Sequence, residues 1–335
     1  MSEQDAPTAD LVAPLRRMGL LKANERAAFT SLTGGVSSDI YLVEADGRRF
    51  CVKRALPRLR VAAVWEAPVE RNAAEAAWMR AVASWLPRAV PRILGDDAKA
   101  GLFAMDYLAP KDYRVWKTEL LAGRVEADFA AAVGRDLAII HARSAADRAV
   151  PAAFANDATF EAIRIEPYLR ATGRAHPALA SRFDALARET LSTRRTLVHG
   201  DVSPKNILDG PLGPVFLDAE CASFGDPAFD LAFCLNHLLL KGARDGADRT
   251  RFDGAFSALA GAYLAGVDWE SADGLEERAA ALLPALFLAR VDGKSPVEYL
   301  VHGSERAAVR RAALPLIANP PHRLREVADA WIRAQ

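Results

Sequence analysis

The apolar residues of this chain change their period near residue 109, and that change limits what each part can fold into. In residues 39–54, Tyr41-Leu42-Val43 lead through Asp46-Gly47 into Phe50-Cys51-Val52-Lys53. An Asp-Gly pair between two alternating runs signals a β-hairpin, with Phe50 and Val52 on one face and Cys51 and Lys53 on the other. Ala74, Ala77, Trp78, Ala81, Val82 and Trp85 then recur at helical spacing until Pro87 ends the pattern. Two short runs, 92–94 and 102–105, flank a polar turn at 95–101 and predict a second strand pair. Beyond Pro110 the spacing is helical around Phe129, Val133, Leu137 and Ile140, and again near 176–192, 227–240, 252–264, 275–291 and 305–316. The expectation is an α+β fold of two lobes. Residues 1–108 form an antiparallel sheet with one helix, and residues 109–335 form a mainly helical lobe. A chain of 335 residues exceeds the size at which one core usually keeps growing, which agrees with two lobes.

Composition excludes several classes. The 43 basic residues balance the 43 acidic ones, so no electrostatic footprint points to nucleic acid or a membrane surface. No run approaches the roughly 18 apolar residues that span a bilayer. The start, Met1 to Asp10, carries acids and lacks an apolar signal core. Cys51, Cys221 and Cys234 are an odd number at no metal-ligand spacing, which predicts a cytoplasmic protein with reduced thiols. Nothing in the sequence signals an oligomeric state.

The helical lobe is interrupted once. Between Thr196 and Asp218 the runs Leu197-Val198, Ile207-Leu208 and Val215-Phe216-Leu217 read as short strands broken at Gly210-Pro211 and Gly213-Pro214. This island carries His199-Gly200-Asp201-Val202-Ser203-Pro204-Lys205-Asn206 and then Asp218-Ala219-Glu220. Phosphoryl transfer asks little covalent chemistry of a protein. It needs metal ions against the phosphate charge and a carboxylate to position and deprotonate the attacking hydroxyl. Asp201, Asn206 and Asp218 are the right residue types, in the order of the H-x-D-x-x-x-x-N element and the later metal-binding aspartate of kinase catalytic loops.

These residues, with Gly225-Asp226-Pro227 and Asp230-Leu231-Ala232, resemble the aminoglycoside phosphotransferase and choline kinase family, which has a protein-kinase-like fold. The resemblance implies an ATP- and magnesium-dependent kinase acting on a small-molecule hydroxyl. It makes Asp201 the catalytic base, lets Asn206, Asp218 and Glu220 hold magnesium, and has His199 buttress the loop. Ser203 stands where many relatives carry His, and Lys205 where glycine is usual. In the first lobe, Lys53 takes the place of the lysine on the α- and β-phosphates, and Glu75 that of its ion-pair partner, with Glu70 the competing choice. Gly34, Gly35, Ser37 and Ser38 would form a turn over the phosphates. The backbone of Asp106 and Leu108 would meet the adenine edge at a hinge, with ATP between the lobes.

Val52-Lys53-Arg54-Ala55-Leu56-Pro57, then Arg60, Trp65, Glu70-Arg71 and Met105-Asp106-Tyr107-Leu108, resemble the methylthioribose kinase branch in part, although Asn206 departs from that branch. This favours a sugar-like acceptor, with an aminoglycoside or choline-like amino alcohol as the alternative. A nucleotide-binding pseudokinase that regulates a partner is the alternative of another class; it predicts damaged catalytic positions, and Lys53, Asp201, Asn206 and Asp218 are all present. Asp226-Pro227 reads as a helix start, Asp at the N-cap and Pro at the first helical position. Asp230 reads as a brace of the loop. Arg290, Asp292 and Lys294 are a polar helix end or acceptor contacts, and Cys221 and Cys234 are core residues.

Overall fold

The computed structural model describes residues 6–32, 38–56 and 71–334. The chain forms two compact units, Met1–Ala109 and Pro110–Gln335.

In the first unit, helix α1 (Ala6–Arg17) precedes strands β1 (Ala28–Leu32), β2 (Ser38–Ala45) and β3 (Arg48–Ala55). Helix α2 (Arg71–Trp85) and strands β4 (Ile93–Asp97) and β5 (Leu102–Asp106) follow. The strands make one antiparallel sheet in the order β1-β2-β3-β5-β4. Asp46 and Gly47 both take positive φ, 47° and 72°, so the hairpin closes through the two-residue turn that matches strand twist. Its register pairs Tyr41 with Val52 and Ala45 with Arg48.

Both faces of β3 are buried, because α1 and α2 both contribute to the unit's core. Leu11 and Leu15 of α1, a helix the hydrophobic spacing did not foretell, pack with Val43, Phe50, Val52 and Ala104. Lys53 faces α2, where it meets Glu75. Residues 95–97, expected in the polar turn, continue β4 instead, with a register shift between Ile93 and Gly95. The turn shrinks to residues 98–101, where the Asp97 carboxylate accepts from the Ala100 N–H.

The second unit opens with β6 (Arg114–Val115), α3 (Trp116–Leu121), α4 (Ala127–Ala146), α5 (Val150–Ala153) and α6 (Asp157–Phe160). A π-helical stretch, Glu161–Arg170, follows without a break, then α7 (Ala171–Ala175) and α8 (Ala180–Ser192). The island expected at 196–218 is β7 (Thr196–Val198), β8 (Ile207–Gly210) and β9 (Gly213–Phe216), joined by β10 (Ser223–Gly225), which pairs with β7. Helices α9 (Pro227–Gly242), α10 (Arg249–Leu264), α11 (Ala272–Asp292), α12 (Gly303–Ala318) and α13 (Leu324–Ala334) complete the chain. Every residue of α9 is buried, and α10 and α11 pack against it, so its few polar side chains stand inside the unit. Among the described residues, no helix is long and apolar enough to cross a membrane.

Candidate active site

The loop between β7 and β8 is fixed from below by one carboxylate. Asp226 caps α9, accepting from the Ala228 N–H at 3.0 Å, and Pro227 takes the first helical position. One turn on, Asp230 is fully buried and accepts from the His199 N–H at 2.6 Å and the Gly200 N–H at 2.8 Å, one on each oxygen. His141 Nε2 lies 3.4 Å from Asp230 Oδ2, and His141 Nδ1 lies 2.7 Å from the Tyr263 hydroxyl. The brace expected of Asp230 is thus a two-point clamp on consecutive amides.

Gly200 must be glycine: its φ is 77°, and a Cβ there would come within 2.8 Å of Cys221 Cβ. Beside it, His199 Nε2 lies 3.0 Å from the Leu217 carbonyl, and His199 Nδ1 accepts from the Asp201 N–H at 3.1 Å. That pattern requires a neutral imidazole protonated at Nε2, and burial, outweighing the nearby carboxylates, pushes its pKa down. His199 ties the strand end before Asp218 to the loop that carries Asp201.

The β8–β9 hairpin pairs Ile207 with Phe216, which brings the ends of both strands together. Asn206 accepts at its carbonyl from the Leu217 N–H at 2.9 Å and donates from its side-chain amide to the Asp201 carbonyl at 3.1 Å. Its amide nitrogen is committed there, which leaves an oxygen as the other face of the amide. Asp218, at φ 69°, holds a left-handed conformation that non-glycine residues enter rarely, Asp among the more tolerant of them. Ser203 Oγ is buried and meets no partner among the described residues.

Two cations converge on Asp201 that the motif alone does not announce. Arg164 Nη2 lies 3.0 Å and Lys205 Nζ 3.1 Å from Asp201 Oδ2. Arg164 also donates to the Gly200 carbonyl and to its neighbour Ile163's carbonyl. Burial alone would raise the Asp201 carboxyl; Lys205 and Arg164 outweigh it and hold the pKa below the ordinary aspartate value. The signal for Lys205 was available, because it lies four residues after Asp201 in a tight loop. Arg164 sits on the π-helical stretch and reaches Asp201 only through the fold.

In the first unit, Lys53 Nζ and Glu75 Oε2 lie 2.6 Å apart, with both side chains nearly excluded from solvent. Ser38 begins β2 and is buried, opposite Ala55 in the register. Asp106 ends β5 and spends its N–H on the Arg92 carbonyl at 3.0 Å, while Leu108 is half-buried just beyond. Gly34, Gly35, Ser37, Arg60, Trp65 and Glu70 lie outside the described residues. At the end of α11 the polar residues are partnered: Asp292 with Arg310 and His176, Lys294 with Glu166, and Arg290 with the Tyr168 hydroxyl.

Residues 28–275 match the phosphotransferase enzyme family, APH. A methylthioribose kinase of Pectobacterium atrosepticum is 26% identical over an alignment of 224 positions that covers 59% of this chain and 56% of that protein. The chain therefore matches little more than half the length of that relative. A choline/ethanolamine kinase family protein from Mesorhizobium loti shares the fold at TM-score 0.52 and 17% identity, over 99% of this chain and 93% of that one. The amicoumacin kinase hAmiN, solved with AMP-PNP, Ca2+ and Ami, does so at TM-score 0.56 and 13% identity, over 97% and 96%. The protein-kinase-like fold expected from the motifs is the fold these structures share.

Proposed function

Because this chain belongs to the phosphotransferase enzyme family, we propose that it is an ATP- and magnesium-dependent kinase that phosphorylates a hydroxyl of a polyhydroxylated, sugar-like small molecule. The observation that carries this reading is the Asp201 carboxylate, buried yet flanked by Arg164 and Lys205 on a loop clamped by Asp230. The methylthioribose kinase match supports a sugar-like acceptor, and the hAmiN complex with AMP-PNP supports ATP as donor.

In this reading the acceptor hydroxyl hydrogen-bonds to Asp201, which aligns its oxygen with the γ-phosphorus. The new oxygen–phosphorus bond forms as the bond to the β,γ-bridging oxygen breaks, the hydroxyl proton passes to Asp201, and ADP leaves. A carboxylate with a depressed pKa is a weak base. That suits a loose transition state, in which the hydroxyl loses its proton late and orientation matters more than basicity. Arg164 and Lys205 keep Asp201 charged and fixed, and Lys205, partly exposed, is the one free to turn toward a phosphate.

The donor set fits magnesium: the Asn206 amide oxygen with the Asp218 and Glu220 carboxylates are the hard oxygen ligands this ion takes. Bound there, the ion would neutralise phosphate charge. Lys53, oriented by Glu75, takes the α- and β-phosphates, with Gly34, Gly35, Ser37 and Ser38 over them. The Asp106 carbonyl and the Leu108 N–H meet the adenine edge. His199 holds the loop without touching substrate.

The test is ADP release from ATP and magnesium across pooled sugars, methylthioribose, amino alcohols and aminoglycosides, with Asp201→Ala alongside. Acceptor-dependent release should fall about 10²- to 10⁴-fold in the variant, the range for losing a general base. Release that no acceptor stimulates would sink the proposal.

A further inference from the structure

Beyond Arg164, further basic side chains of the second unit stand close enough to act on one another. Arg164 lies 5.9 Å from the ring of Phe233 and 6.0 Å from that of Tyr168. Arg290 stands 5.5 Å over the same Tyr168 ring and donates to the Tyr168 and Ser295 hydroxyls. From Phe233 the buried helix α9 presents His237 and then Lys241 at four-residue steps, so the stripe advances about 6 Å and about 12 Å from Phe233. His237 Nδ1 lies 3.4 Å and Lys241 Nζ 3.5 Å from the Tyr299 hydroxyl.

Among the described residues, neither Arg290 nor Lys241 forms an ion pair with a carboxylate, although Lys241 is 1% exposed; its ammonium lies 4.6 Å over the Tyr299 ring instead. Glu298, a carboxylate whose charge acts on Lys241, is paired with Lys117. His237, 5% exposed, has an Nε2 with no hydrogen-bond partner, and the Arg290 Nε has none. A buried ammonium with no counter-ion and a buried imidazole nitrogen with no partner each cost stability that apolar residues of similar shape would not. Their electrostatic surroundings agree. Burial, then Lys117 and Arg290, push Lys241 down to about 7, and burial with four nearby cations pushes His237 well down.

We infer that the acceptor is an anion: a hydroxylated metabolite whose carboxylate or phosphate is held by Arg290, His237 and Lys241 while its hydroxyl reaches Asp201. This rests on the kinase reading above and names its substrate class. A cationic amine, as in an aminoglycoside or amino alcohol, would meet the like charges of Arg290, Lys241 and Lys117 at this end of the site, where Glu298 is already paired with Lys117.

Binding tests the inference without turnover. The full-length protein is titrated calorimetrically with one carbon skeleton in four forms: glucose, glucosamine, gluconate and glucose 6-phosphate, the last two separating carboxylate from phosphate. Wild type should bind at least one anionic form, and Lys241→Met should weaken it roughly ten- to a hundredfold, the range for a lost charge-assisted hydrogen bond. The melting temperature of the unliganded Lys241→Met protein should not fall, because methionine removes an unmatched buried charge at similar volume. Equal or tighter binding of glucose or glucosamine, no binding of either anion, or anion binding that the variant keeps would each overturn it. ADP release measured on the same preparations separates this from the kinase reading. Turnover confined to neutral or cationic acceptors would leave the kinase standing and the anion site refuted.

Discussion

Replacing Asp230 with Asn tests whether the loop is held as its geometry implies. Both oxygens of Asp230 are occupied, by the His199 N–H at 2.6 Å and the Gly200 N–H at 2.8 Å. Asparagine keeps the shape but offers one acceptor oxygen, and turns its NH2 toward whichever N–H is left. One charge-assisted hydrogen bond is lost, worth about 1.5–3 kcal/mol, and the other falls to a neutral bond of about 1 kcal/mol. The buried N–H left facing a donor adds about 1 kcal/mol, so the total is about 3–6 kcal/mol. For a unit the size of Pro110–Gln335, each kcal/mol moves the melting temperature by about 2–4 °C, so the transition of this unit should drop by roughly 6–24 °C. Turnover should fall with it below the melting range, because Asp201 follows the two clamped amides directly. Scanning calorimetry with ADP release at a temperature where both proteins are folded is the assay. An unchanged melting temperature, or full turnover in a destabilised protein, would refute the clamp.

Three further outcomes follow from the same contacts. Glu75→Ala removes one member of a buried pair and should cost about 3–5 kcal/mol in the first unit, with most of it regained in Lys53→Met/Glu75→Leu; urea unfolding of both variants checks it. Burial pushes Lys241 from its ordinary 10.5 down to about 7, so between these values the unfolded chain holds a proton that the folded one lacks, and stability rises with pH. Each pH unit in that window adds up to about 1.4 kcal/mol, and Lys241→Met, which leaves His237, Tyr299, Lys117 and Glu298 in place, should flatten the rise in melting temperature. A slope that the variant keeps would assign it to another group. Burial pushes Cys51 up to about 11 and Cys221 and Cys234 higher still, so the native protein should not react with a thiol-disulfide reagent near neutral pH, whereas denatured protein should yield all three thiols.

What the sequence made legible was local chemistry. Asp46-Gly47 demands a tight hairpin, Asp226-Pro227 starts a helix, and the stripe through Ala74, Trp78 and Trp85 marks α2. Each is decided by residues within a few positions. Helix α1 stayed hidden because Pro14 and the arginines that follow it dilute its stripe, and only the sheet it covers shows why Leu11 and Leu15 are apolar. The π-helical stretch carries Pro167, which reads as a break in an α-helix, yet the chain continues helical through it. For α13, Leu324, Val327, Ala328 and Trp331 do stand at helical spacing, a signal the expectation left unused. The motif residues were legible as a set, since His199, Asp201, Asn206 and Asp218 share one loop and one hairpin. Their long-range partners were not. Arg164 reaches Asp201 from another element, and the buried His237 and Lys241 look like ordinary polar positions until the burial of α9 is known.

The most direct test of the account follows the phosphate itself. With an acceptor found in the panel, mass spectrometry would measure phosphorylated product from wild type and Asp201→Asn, with ATP affinity measured on the same samples. The account predicts that the variant loses product formation about 10²- to 10⁴-fold while its ATP affinity stays close to wild type. Product formed by the variant at a near wild-type rate would contradict it, because the carboxylate that the loop, the clamp and both cations serve would then have no part in the transfer.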